Sequence, residues 1–208
     1  MRPGRTLTGW VPSGRHLLEW SPAAAAFVLG CALARQGFDE WFAAILAIAA
    51  ISALCLWVAW QDLLHFTISD SAVMSIVFLA IGARWGQFAE AGGAPLNATF
   101  VITADLLLPG AFMFLIRECF FRLKGYDGLG LGDVKLALAG GALAGAVGFC
   151  WALFAASALS LAFVAARAAL VGPLSAQDKL AFGAALAPAV WTVWVMEQWP
   201  LLTSASGL

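Results

Sequence analysis

Charge is what this sequence has least of. Only 11% of its 208 residues are Asp, Glu, Lys or Arg, against roughly 25% in an ordinary soluble domain. The scarcity argues against a soluble globule, because 62% of the chain is apolar and that much apolar surface must face lipid. The same shortage of polar residues argues against a disordered chain, a collagen-like repeat or a low-complexity linker. A basic run is missing too: the eleven Lys and Arg are scattered and the net charge is −1, so nothing suggests a nucleic-acid partner. There is no CxxC pair. Cys31, Cys55, Cys119 and Cys150 stand singly in apolar stretches, which suggests neither a zinc site nor a disulfide framework and leaves them as small hydrophobes.

What is present is a chain of apolar stretches with a mean hydropathy of +0.90, ten Trp and fifteen Phe. A helix needs about 20 apolar residues to cross about 30 Å of hydrocarbon. Seven stretches approach that length: Pro22 to Arg35, Trp41 to Trp60, Ser69 to Phe88, Thr99 to Phe121, Val134 to Val147, Phe149 to Leu170, and Leu180 to Trp199. The boundary at Gly145 to Gly148 is the weakest, so the expected fold is an all-α polytopic membrane protein with six or seven transmembrane helices. The expected organisation is an amino-terminal tail over 1–20, a membrane domain over 21–200 and a short tail over 201–208. Without a small-residue cleavage site after the first apolar stretch, Met1 to Trp20 reads as an uncleaved cytoplasmic tail.

Charge also gives the orientation. With seven crossings, Arg2, Arg5, Arg15, Arg117, Arg122, Lys124, Lys135, Arg167 and Lys179 gather on one side, and only Arg35 and Arg84 on the other. The first side is therefore expected to be cytoplasmic. Trp41, Trp60, Trp85, Trp151 and Trp199 fall near helix ends, as interface anchors do. This topology brings QDLLHFTIS (Gln61 to Ser69) and KGYDGLGLGDVK (Lys124 to Lys135) to the same boundary, so Asp62 and Asp133, 71 residues apart in sequence, become candidate neighbours.

Asp62 ends a strongly apolar helix, and Asp133 follows Gly128, Gly130 and Gly132, glycines that remove side-chain bulk and allow close backbone approach. Two carboxyls in one site cannot both ionise cheaply, so they hold one proton between them. That is the state an aspartic hydrolase uses, one carboxylate taking a proton from water and one acid polarising the carbonyl. The alternative is that Asp133 merely caps the helix beginning at Val134.

The run Gly130-Leu131-Gly132-Asp133-Val134-Lys135-Leu136 resembles the GxGD-x-KL signature of the type IV prepilin leader peptidases, integral membrane aspartic proteases. Asp62-Leu63 followed by Ile68 is similar to that family's other aspartate motif, with one extra residue of spacing or a shifted alignment. Phe182-Gly183 resembles its Phe-Gly-Pro. Ser69 and Ala184 stand where the family usually has Pro, and His65 lies in a region often rich in Arg. The resemblance spans about Trp57 to Val190. It implies that Asp62 and Asp133 are catalytic, that Gly130, Gly132 and Lys135 bind substrate or support the loop, and that no metal or other cofactor is needed. It also implies that the substrates are prepilins, Flp-type pilins or pseudopilins, whose basic leaders are cut at the cytoplasmic face of the inner membrane. The CxxC-bearing region that accompanies methylation in many members is not found in this sequence, so peptidase activity alone is expected, as in the short branch. Oligomeric state is open.

Other acids have their own readings. Asp105, about 25 Å from the Arg122 end of its helix at about 1.5 Å per residue, is expected to make an internal polar contact such as with Thr103 or Asn97. A proton-coupled transporter built on Asp105 is the rival from another class, and a presenilin-like GxGD protease the rival within the same chemistry. Lys135 is either a partner of Asp133 or substrate, or one more cytoplasmic positive charge. Asp127 is expected to be a solvated loop acid and Asp70 to sit in the first turn of its helix. His65 stands alone, and a single imidazole makes no metal site.

Overall fold

The computed structural model describes residues 40–126, 128–170, 172 and 180–206. All regular structure among them is helical: α1 (Glu40–His65), α2 (Asp70–Glu90), α3 (Pro95–Lys124), α4 (Leu131–Leu170) and α5 (Phe182–Ser206). The expected tail over 1–20, the stretch from Pro22 to Arg35, Asp127 and Lys179 lie outside the described residues. Where six or seven spans were expected, four helices, α1 to α4, are long and apolar enough to cross a membrane. The last expected stretch, Leu180 to Trp199, forms α5, which runs on to Ser206.

Helix α1 turns one stripe inward. On α1 the buried positions are Ala47, Ile51, Cys55, Val58 and Asp62, spaced by three or four residues as one helical face requires. Leu56, Trp57, Trp60, Leu63 and Leu64 on the other faces are exposed and suit a lipid surround. Asp62 thus rides into the bundle on an otherwise apolar stripe. The helix stops when Phe66 takes a left-handed φ of 53°, its N–H bonding to the Asp62 carbonyl at 2.9 Å. Ser69, extended at φ −70° and ψ 125°, is the N-cap of α2. Its hydroxyl pairs with that of Ser71 at 2.9 Å and not with a backbone amide. Asp70 occupies the first turn of α2, where a negative charge meets the positive end of the helix dipole.

Helix α3 opens on Pro95, a residue preset for a first helical turn. It closes on Gly125 at φ 77°, whose N–H reaches the Phe121 carbonyl at 2.8 Å. Just beyond it Tyr126 packs edge-on to Phe120 of α3, with ring centroids 5.5 Å apart.

Helix α4 is broken. Gly145 has φ 70° and ψ 169°, a backbone region essentially confined to glycine, and it divides α4 into an arm over 131–144 and an arm over 146–170. A Cβ on Gly140 would lie 2.9 Å from the Phe149 ring. Residues nine apart in an unbroken helix are separated by about 13.5 Å along the axis, so this contact requires the two arms to fold against each other. The first arm is the core of the molecule, with Val134, Leu136, Ala137 and almost everything from Ala139 to Ala144 buried. Its Gly and Ala positions allow neighbours to close in from all sides. The second arm buries only Gly148, Phe149, Ala152, Ala156 and Ser160, a small-residue stripe every four residues, and turns Phe154, Leu159, Leu161 and Phe163 outward.

Candidate active site

Both sequence-selected aspartates are at the same end of the bundle, where α1 ends and where α2, α4 and α5 begin. Asp62 is 5% exposed. Its Oδ2 accepts the Ala184 N–H at 2.8 Å, and the Gly183 amide supplies a second backbone donor. These donors stand at the start of α5, where helical N–H groups have no intrahelical partner. The proline usual at position 184 has no N–H to give, so this contact needs a residue other than proline there.

Asp133 lies in the first turn of α4 and is half-buried. Its N–H donates to the Gly130 carbonyl at 3.2 Å, and the Gly130 amide donates back to its carboxylate. That reciprocal bond explains why the residue at 130 is small: a Cβ there would lie 3.3 Å from Asp133 Oδ2. Asp133 is also close enough to Asp62 to feel its charge directly. Asp133 is thus a helix-end residue, as one reading of the sequence had it, and it lies near Asp62.

Ile68 connects the two halves. A Cβ on Gly132 would stand 3.2 Å from the Ile68 side chain, and one on Gly183 would stand 2.8 Å from Ile68 Cδ1 and 2.9 Å from Asp62 Oδ2. The side chain of Ile68 is thus lodged between the glycine that precedes Asp133 and the glycine that faces Asp62.

Lys135 is placed elsewhere. Its Nζ donates to Asp70 Oδ1 at 2.7 Å, tying the start of α4 to the start of α2. Two residues apart on a helix, Lys135 and Asp133 do not face each other. His65 is exposed, in the last turn of α1.

Asp105 is at the opposite end and does not take the expected contacts with Thr103 or Asn97. Its Oδ2 meets Arg84 Nη2 at 2.6 Å and its Oδ1 accepts the Ala146 N–H at 2.9 Å. Arg84, assigned from sequence to the outer loop charges, is spent on this internal pair. A cavity of about 250 Å³ lies beside it, lined by Arg84, Gln87, Gly145, Glu197 and Gln198 among others.

A family model described as the type IV leader peptidase family matches residues 49–166, more than half of the chain and inclusive of both aspartates. The chain belongs to the type IV leader peptidase family. It is accordingly a protease, a multi-pass membrane protein of the prepilin-peptidase kind. Neither the curated proteins nor the solved structures gave a match. The family match stops before α5, so the Gly183 and Ala184 amides that hold Asp62 are contributed from outside the matched segment. Only Phe182-Gly183 hinted at them, and that dipeptide alone gives no sign that the carboxylate held by the next residue, Ala184, lies 122 residues earlier.

Proposed function

We propose that this protein is an aspartic endopeptidase of the inner membrane that removes the basic leader from type IV prepilins, Flp-type pilins or pseudopilins at the cytoplasmic face, with Asp62 and Asp133 as the catalytic pair. The observation that carries the reading is the meeting of these two carboxyls at one end of the bundle, each held by backbone amides. One carboxylate takes a proton from water as the water oxygen bonds to the scissile carbonyl carbon. The other, protonated, gives its proton to the carbonyl oxygen. The tetrahedral diol then collapses: the C–N bond breaks, the amine leaves with a proton from the first acid, and the second carboxyl recovers its own. Gly130 and Gly132 support the loop that carries Asp133, and Lys135 supports it through Asp70.

In this reading the 66–69 and 125–130 segments are cytoplasmic, in keeping with Arg117, Arg122, Lys124 and Lys135 at that end. The break at Gly145 makes α4 a pair of membrane segments, so that with α5 the described residues make six passages. A non-helical backbone there is tolerated because it lines a polar cavity and finds protein partners, the settings in which a membrane protein accepts one.

The test is to reconstitute the full chain in lipid nanodiscs with a panel of prepilins and to sequence the new amino terminus by mass spectrometry. Cleavage between a Gly and the hydrophobic helix of the pilin is the expected result. Cleavage of none of the panel, or only inside the hydrophobic helix as for a presenilin-like enzyme, would overturn it.

A further inference from the structure

The break at Gly145 takes backbone donors and acceptors on either side of it out of the helical ladder, and such groups need other partners where water is scarce. Two of these groups are met by one ion pair. Asp105 Oδ1 accepts the Ala146 N–H at 2.9 Å, a donor at the start of the second arm. Arg84 Nη1 reaches the Ala142 carbonyl at 3.4 Å, an acceptor at the end of the first arm. The pair itself closes at 2.6 Å, with side chains 17% and 19% exposed. Asp105 is held against the break from behind as well. Pro109, inside α3, has no N–H to bond to the carbonyl four residues back, which is that of Asp105. That carbonyl faces Gly141, where a Cβ would collide with it.

The first arm runs from Asp133 to this junction, about 18 Å at about 1.5 Å per residue. It is buried on nearly all sides and short enough to move as one piece. We infer that Arg84 and Asp105 are positioning residues: by capping both helix ends at the Gly145 break they fix the arm whose other end presents Asp133 to Asp62. The inference rests on the peptidase reading, and it assigns Asp105 to the protease where a transporter reading would give it a proton.

A donor–acceptor match and a simple charge pair predict different variants. Asp105→Asn keeps an oxygen for the Ala146 N–H. The exchange Arg84→Asp with Asp105→Arg keeps the ion pair but sets a donor against that N–H and an acceptor against the Ala142 carbonyl. In nanodiscs with a cleavable prepilin, Asp105→Asn should keep kcat within about threefold of wild type. Asp105→Leu and the exchange should each lose tenfold or more in kcat with KM unchanged, consistent with the sensitivity of catalysis to small displacements. Amide hydrogen exchange over 142–149 should quicken in those two variants and stay slow in Asp105→Asn. Restoration of kcat by the exchange, wild-type kcat in Asp105→Leu, or a loss confined to KM would overturn the proposal. If Asp105→Leu does not accumulate, Asn above the exchange supports it, and equal or reversed ranking overturns it. The exchange readout needs no cleavage, so a wild type that cleaves nothing would remove the peptidase reading and leave the capping role to be judged by hydrogen exchange.

Discussion

Gly183 has no room for a methyl group. Its Cβ would stand 2.9 Å from Asp62 Oδ2 and 2.8 Å from Ile68 Cδ1, and Asp62, held by the Ala184 amide, would have to shift to make room. Gly183→Ala is therefore expected to displace Asp62 and to lower kcat by about tenfold to a hundredfold while the protein remains folded. Cleavage kinetics beside a thermal melt in detergent check this, and wild-type kinetics would contradict it. At this scale the placing of the two aspartates at one end of the bundle was legible, because each sits in a short motif at a helix end. The partners of other residues were not. Lys135 was weighed as a partner of Asp133 because it is near in sequence, yet residues two apart on a helix diverge and its partner Asp70 is 65 residues away. Asp105 likewise found Arg84 on α2, a contact set by packing that local sequence cannot disclose.

Among the elements, α4 is where sequence reading was best and least secure. The apolar run passes straight through Gly145, so hydropathy alone marks no end, and only the glycines suggested one. The decisive feature is a backbone angle: φ 70° with ψ 169° is open to glycine and closed to other residues at a cost of about 1–3 kcal/mol. Gly145→Ala should destabilise the protein by about that amount, measured as a lowered thermal midpoint. Gly141→Ala should be worse than Gly145→Ala. Its Cβ would come within 2.1 Å of the Asp105 carbonyl and 2.6 Å of the Pro109 ring, and backbone cannot yield as a side chain does, so α3 and α4 must separate. Overpacking of this kind costs about 1–3 kcal/mol or more, and an unchanged melt would refute the tight α3–α4 contact. Helix caps were partly legible too. Asp70 and Ser69 fall at the start of α2 as expected, although the Ser69 hydroxyl bonds Ser71 and not the helix amides.

At the scale of the whole molecule, the described helices have two polar ends joined by an apolar middle, and they differ in kind. At one end lie Asp62, Asp133 and the Asp70–Lys135 pair; at the other lie Arg84, Asp105 and the cavity beside Gly145. The alternation of loop charges in the sequence located the first end, because basic residues accumulate there. The second end was hidden, since Arg84 looked like a loop charge until folding set it against Asp105. The Asp70–Lys135 contact is 55% and 47% exposed, so Asp70→Asn should change stability by less than about 1 kcal/mol. A larger loss would mean that this tie holds α2 and α4 together.

The central claim is that Asp62 and Asp133 form one catalytic pair. It is tested most directly by purifying Asp62→Asn and Asp133→Asn, confirming by thermal melt that both are folded, and measuring cleavage of a prepilin that the wild type processes. The account predicts that both folded variants have no measurable activity. Residual wild-type-like cleavage by either one would contradict it.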